Sequence, residues 1–244
     1  MTQPLYLSRA TLRRDVPAAA LLELLLPGDA GRRAGVGHRL VWTLFTDGPD
    51  RERDFLWREA ENGTFYLLSR RKPEDRHGLF CIDPPKEFAP SLTIGDRLSF
   101  SLRANPTVAK KTEGKSRGAP VDVVMAAIHD VPRRERALKR NEAVQTAGRQ
   151  WIAEQGARCG FRLVPELENE SGSREVLTEG VLRISGYRSI NIDHSGPRAC
   201  IGVMDFDGVL EVRDPQLFLA SVGRGFGRAK AFGCGLMLLR RVVM

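Results

Sequence analysis

The chain of 244 residues carries 38 Lys and Arg against 30 Asp and Glu, a net charge of +8, with 42% hydrophobic and 7% aromatic residues. That balance excludes a disordered, fibrous or disulfide-stapled chain, and no apolar run approaches the ~20 residues that cross a bilayer. The basic excess favours a polyanionic partner, while Cys81, Cys159, Cys200 and Cys234 stand too far apart for a metal site and suit a reduced, cytoplasmic protein.

The chain opens on an alternating strand, YLSRATL, followed by AAALLELLL, an apolar run broken by Glu23 that reads as a buried helix. A polar, glycine-containing loop then leads to GHRLVWTLF, residues 37–45, a short helix. DFLWREA and TFYLLSR are strands joined by the hairpin signal ENG, and LFCI is a further short strand after a charged loop. Strand, helix, strand, strand is a weak version of the ferredoxin-like order, and residues 1–92 are expected to form one domain.

A second domain is expected over residues 96–244. It begins with the strand GDRLSFSLRANPTV and the basic loop KKTEGKSRG. A helix follows, with Ala137, Val144, Ala147 and Trp151 at helical spacing. GVLRISGYRSINI and ACIGVMDFDGVLEV are strand-rich, the second expected to fold back on itself at Phe206-Asp207-Gly208. Asp214-Pro215 caps a helix, QLFLASVG, and GLMLLRRVVM is the last strand. The order strand, helix, strand, strand, helix, strand is ferredoxin-like. The predicted fold class is therefore α+β, two tandem ferredoxin-like (RRM-like) domains.

Between the last helix and the last strand lies GRGFGRAKAFGCGL, residues 223–236. A dinucleotide fingerprint needs its glycines after a strand and before a helix, so this loop has the wrong order for a nucleotide cofactor. A helix C-cap and tight turn would explain one or two glycines. Gly223, Gly225, Gly227, Gly233 and Gly235 together suggest a loop that, with Arg224, Arg228 and Lys230, lines a polynucleotide backbone.

Gly225, Gly227, Lys230, Gly233, Gly235 and Leu236 form G-x-G-x-x-K-x-x-G-x-G-L, which resembles the signature loop of the CRISPR-associated repeat-processing endoribonucleases. HRLVWTLF with RDFLWRE, SLRANP and GVLEVRDP occur in order along the chain and narrow the resemblance to the CasE family, the processing subunit of type I-E Cascade. The resemblance implies a RAMP-superfamily architecture and cleavage of a repeat hairpin in precursor CRISPR RNA, without metal or other cofactor. The RNA's own 2′-hydroxyl attacks the adjacent phosphate, leaving a cyclic phosphate and a 5′-hydroxyl. The implied partners are the repeat hairpin, the mature CRISPR RNA and the other Cascade subunits, with no membrane.

Such a reaction needs a base, an acid and positive charge on the phosphorane, and histidine suits the proton transfers. Periodicity places His38 on the Trp42 edge of an apolar stripe formed by Leu40, Val41, Trp42, Leu44 and Phe45, which by itself reads as a packing histidine. Its expected place in the first turn would let it reach a cleft, with the helix dipole lowering its pKa. The resemblance puts His38 at the family's catalytic position. His77 and His129 read as loop and element-end residues, and His194 as part of a hairpin tip. Relatives carry a tyrosine three residues before the catalytic histidine, where this chain has Gly35; a non-catalytic hairpin-binding scaffold is the alternative that this departure raises. Expected RNA contacts are Arg39 beside the histidine, Arg224, Arg228 and Lys230 of the glycine loop, Lys110, Lys111, Lys115 and Arg117 of the basic loop, and Tyr187, Arg188 and Arg198 of the hairpin SGYRSINIDHSGPR. Arg103 and Asn105 read as structural.

Overall fold

A computed structural model describes residues 4–15, 28–45, 52–61, 63–110, 118–164, 182–192 and 199–242. The first sheet has β1 (Tyr6–Leu12) at its centre, paired antiparallel to β3 (Thr64–Ser69) on one side and to β4 (Phe80–Ile82) on the other. β2 (Phe55–Glu59) lies outside β3, giving the order β2-β3-β1-β4, and β5 (Lys86–Glu87) pairs the start of β1. This is ferredoxin-like strand order. Residues 70–79, where a second helix would stand, instead form a loop closed by Asp75, whose carboxylate accepts from the Leu79 and Phe80 amides at 3.1 and 2.9 Å.

The helix of this half, α1, spans Ala30–Trp42 and runs on into a 3-10 turn over Thr43–Phe45. The expected loop ahead of residue 37 is thus the first two turns of the helix. Asp29 caps it, accepting from the Arg32 amide at 2.8 Å. Glycine weakens a helix interior by about 1 kcal/mol relative to alanine, which made GRRAGVG read as a loop. Two of these glycines permit close packing instead. A Cβ at Gly31 would run into the Asn191 carbonyl, and one at Gly37 would meet the Trp57 ring at 2.7 Å. The stretch AAALLELLL lies outside the described residues.

The second sheet has the order β10-β11-β6-β12, all antiparallel, from β6 (Arg97–Ala104), β10 (Arg183–Ile192), β11 (Ala199–Val212) and β12 (Met237–Arg241). A short β9 (Phe161–Leu163) extends it along β11, and β7 (Thr107–Lys110) with β8 (Ala119–Asp122) makes a separate hairpin. After that hairpin come a short α2 (Val123–Ala127), then α3 (Arg136–Cys159), and later α4 (Pro215–Arg224), which the Asp214 side chain caps with Pro215 in the first turn. Taking β6, α3, β10, β11, α4 and β12 in chain order gives the complete ferredoxin-like unit. The protein is α+β with two ferredoxin-like units in tandem, the first with a loop in place of its second helix.

The expected turn at Phe206-Asp207-Gly208 does not exist. β11 passes straight through it, with Asp207 opposite Ser101 and Gly208 opposite Phe100 on β6. Gly208 answers a packing need rather than a turn: a Cβ there would press on Leu182 and the Phe100 ring, both at 3.3 Å.

The two units share a core. Phe55, Trp57, Phe65 and Leu67 pack with Leu40, Val41 and Leu44 of the α1 segment, whereas Leu56 and Leu68 join the core of the second unit. Both faces of β2 are therefore covered, which explains its unbroken apolar run FLW. Across the seam, Arg58 donates to Ser101 Oγ at 2.9 Å and Trp57 Nε1 to the Ala231 carbonyl at 3.3 Å.

Candidate functional site

His38 occupies the third turn of α1, not the first, because the helix starts eight residues ahead of it. Its ring is half-buried on the Trp42 edge of the stripe, as periodicity indicates, and touches Trp42 edge-on and Phe232 of the glycine loop. Trp42 Nε1 donates to His38 Nε2 at 3.1 Å, so the neutral ring carries its proton on Nδ1. That Nδ1 is buried and has no partner among the described residues. The pKa of His38 lies below the usual histidine value, first because burial disfavours the cation, then because Arg53 and Arg39 are nearby. The helix dipole expected to do this has no part, since His38 is not at the positive end. The ring is a neutral imidazole at pH 7.

Opposite His38 stands the glycine loop. Gly225, Gly227, Gly233 and Gly235 all have positive φ, and a short 3-10 turn, Lys230–Phe232, interrupts them. Gly233 shows why no side chain is allowed: at φ 76° a Cβ would meet the Trp57 ring at 3.1 Å. Gly223, at the end of α4, would press a Cβ onto Leu5 at 2.9 Å. Many loop amides serve the fold itself, Phe226 donating to Gly235, Arg228 to Asn105 and Gly235 to Arg103. What the loop offers outward is charge. Arg224 and Arg228 are exposed, Arg224 donating to Ser221 Oγ at 3.0 Å, and Lys230 is half-buried. Burial and the positive field of Arg53, Arg224 and Arg228 hold the Lys230 pKa below normal. The structure thus brings His38, Arg39, Arg224, Arg228 and Lys230 to one stretch of the seam. It adds Arg53, which sequence reasoning passed over inside the motif RDFLWRE.

The remaining candidates lie in other settings. Tyr187 donates to Asp122 Oδ1 at 3.0 Å and carries the Arg140 guanidinium 5.2 Å above its ring. Burial and the Asp122 carboxylate push its pKa far above the usual phenol value. Arg188 is half-buried, donates to the Gly186 carbonyl, and stands 3.6 Å from Asp205. Lys110 is exposed at the end of β7. Lys111, Lys115, Arg117, His194 and Arg198 lie outside the described residues. His77 is an exposed turn residue, and His129, just after α2, is exposed beside Asp130 at 2.8 Å.

Arg103 and Asn105 have structural contacts, as expected. Arg103 grips Asp205 with two hydrogen bonds of 2.8 and 3.1 Å, and buried Asn105 donates to the Gly202 carbonyl at 2.6 Å. All four cysteines are free, and burial pushes the Cys234 thiol up to about 12. Among the described residues, no three His, Cys, Asp or Glu side chains gather as a metal site, and no helix is long and apolar enough to cross a membrane.

Fold and site together define a tandem ferredoxin-like protein that presents one histidine and a row of cations along the seam between its units. The model of the family of CRISPR associated proteins matches residues 5–241, and the chain belongs to that family. It is 32% identical over 161 residues to the CRISPR-associated endoribonuclease Cse3 of Thermus thermophilus, a match that covers 66% of this chain and 63% of that protein. It is 26% identical over 211 residues to the Escherichia coli CRISPR system Cascade subunit CasE, covering 83% of this chain and 89% of that one. A solved structure of the CRISPR endoribonuclease Cse3 bound to a 19-nt RNA superposes with a TM-score of 0.63 at 25% identity, covering 97% of this chain and 99% of that one.

Proposed function

We propose that this protein is an endoribonuclease of CRISPR RNA maturation, working in the cytoplasm, which cleaves the repeat hairpin of the precursor and stays on the product as a Cascade subunit. The observation that carries the reading is the seam itself: a neutral, half-buried His38 facing a loop that presents Arg224, Arg228 and Lys230, in a chain of this family. The two domains of the reading are residues 1–92 and 96–244, with RNA lying along the cationic face where they meet.

The chemistry follows from the charge. The 2′-oxygen bonds to phosphorus while the bond from phosphorus to the 5′-oxygen breaks, giving a cyclic phosphate and a 5′-hydroxyl. The proton leaves the 2′-hydroxyl and one is delivered to the departing 5′-oxygen, so the reaction is balanced without a co-reactant. A neutral imidazole can take the first proton. For that, His38 Nε2 must exchange the Trp42 N–H for the substrate hydroxyl. Lys230, whose ammonium is half-buried and poorly solvated, lies on the phosphate side and stabilises the developing negative charge. Arg39, Arg224 and Arg228 hold flanking phosphates, with Lys110, Lys111, Lys115, Arg117, Tyr187, Arg188 and Arg198 as contacts farther along the hairpin.

A non-catalytic hairpin-binding subunit is the second reading. Gly35 at the family's tyrosine position favours it, as does the indole N–H on the nitrogen that catalysis needs. Incubating a labelled repeat hairpin with wild type and His38→Ala in excess EDTA separates the two. The nuclease reading expects cleavage by wild type alone, a cyclic phosphate on the product, and retained binding by both proteins. Tight binding with no cut by either protein would establish the scaffold.

A further inference from the structure

Arg53 lies in the extended residues just ahead of β2, half-buried, and the two residues that follow it are anchored. The following residue, Asp54, is clamped by Arg71 through hydrogen bonds of 2.8 and 3.0 Å, and Arg71 also lies over the Phe45 ring and donates to the Phe45 carbonyl. One residue further, Phe55 meets Trp42 edge-on at 5.1 Å, and Trp42 in turn holds His38. A continuous packed path therefore fixes Arg53 relative to the histidine.

The guanidinium itself has no hydrogen-bond or carboxylate partner among the described residues, and the single influence on its pKa is burial, which lowers it. Its neighbours are cations: it acts on His38 ahead of Arg39, and on Lys230 ahead of Arg224 and Arg228. Other half-buried arginines of the seam have partners: Arg33 pairs with Glu59, Arg58 donates to Ser101 and Arg103 pairs with Asp205. A partly desolvated guanidinium with five donors and no acceptor is unfavourable unless a ligand completes it. A phosphodiester supplies what is missing, two non-bridging oxygens matched to the guanidinium fork.

We propose that Arg53 is a catalytic residue that grips a non-bridging oxygen of the scissile phosphate, between His38 and Lys230. This rests on the nuclease reading above. Its charge stabilises the phosphorane as the 2′-oxygen adds and the 5′-oxygen departs. It moves no proton.

The test is single-turnover cleavage and equilibrium binding of the labelled repeat hairpin by wild type, Arg53→Gln and Arg53→Lys. Loss of one preorganised donor predicts cleavage slower by about 10²–10³-fold for the Gln variant, with affinity within about threefold because the other cations still hold the flanking backbone. The Lys variant keeps a point charge without the fork and falls between, about tenfold below wild type. In the free protein, an NMR titration of the His38 ring should move upward in Arg53→Gln. The groups facing that ring are Arg39 on its own helix, Arg53 from the β2 side, and from the glycine loop Phe232 with Lys230 at the head of the same turn. An unchanged titration would place the Arg53 charge away from the ring and overturn the assignment.

A Gln variant that cleaves within a few-fold of wild type overturns the assignment and leaves the nuclease reading standing. Binding lost in proportion to cleavage makes Arg53 an ordinary backbone contact, which also overturns it. Should the Gln variant unfold, the Lys variant decides, a tenfold loss supporting the role and a wild-type rate ending it. Wild type that binds without cutting defeats the nuclease reading, and the Arg53 assignment falls with it.

Discussion

The two sides of the seam treat their charges in opposite ways. On the β10–β11 side, Arg103 is bound to Asp205, Arg188 stands near the same carboxylate, and the Tyr187 hydroxyl donates a hydrogen bond to Asp122. On the α1 and glycine-loop side, Arg39, Arg53, Arg228 and Lys230 have no carboxylate partner among the described residues. Similar residue types thus do different work. Charges neutralised within the chain set the shape of the junction, and those left open are available to a polyanion.

The largest expected effect breaks the shape of the junction. Trp57→Ala should destabilise the protein by about 3–5 kcal/mol, read by chemical denaturation, because the indole fills the space between α1, β2 and the glycine loop. Asp205→Asn leaves Arg103 half-satisfied and should cost about 1–3 kcal/mol, whereas Arg39→Ala should leave the unfolding curve where it is; equal losses from both would erase the contrast between the two sides.

Gly35 sharpens the comparison from the catalytic side. A Cβ there meets nothing within 4 Å, so Gly35→Tyr fits the backbone and should speed single-turnover cleavage by about tenfold. Gly35→Ala should leave the rate alone and stabilise the fold by about 0.5–1 kcal/mol; a destabilised alanine variant would mean that the helix needs glycine there. Arg228→Ala should reduce the slope of log affinity against log salt by about 0.7–0.9 with no change in melting temperature.

The smallest effect is in pH. The pKa of His38 is lowered from 6.5 in the folded chain, so between that lowered value and 6.5 the unfolded state binds more protons and stability rises with pH. The contribution is complete above 6.5 and is lost as pH falls through the folded value. His38→Gln should flatten that limb of a pH–stability curve, and an unchanged limb would assign it to another group.

What was legible in the sequence is what local pattern dictates. β1, the β2–β3 hairpin, the Trp151 face of α3 and the Asp214-Pro215 cap all follow from periodicity and capping chemistry. The start of α1 was not legible, because its glycines answer to Asn191 and Trp57, residues distant in sequence. The straight course of β11 was hidden for the same reason, Asp-Gly being a turn signal until Phe100 explains the glycine. His38 was placed on the correct edge of its stripe, but its hydrogen bond to Trp42 and the nearness of Arg53 depend on how β2 packs against the helix. A cation directly ahead of a buried strand, near the end of an amphipathic helix, was the available signal for Arg53.

Trp57 lies between two glycines, Gly37 on the helix and Gly233 on the loop, each within contact of its ring. Gly37 and Trp57 therefore form one evolutionary unit. A side chain gained at Gly37 is tolerated only if the indole shrinks, so changes at Gly37 and Trp57 that are harmful singly become acceptable in combination, whereas Gly233, at φ 76°, is kept as glycine by its backbone whatever the ring. Among descendants of this chain, Gly37 and Trp57 should change together or not at all.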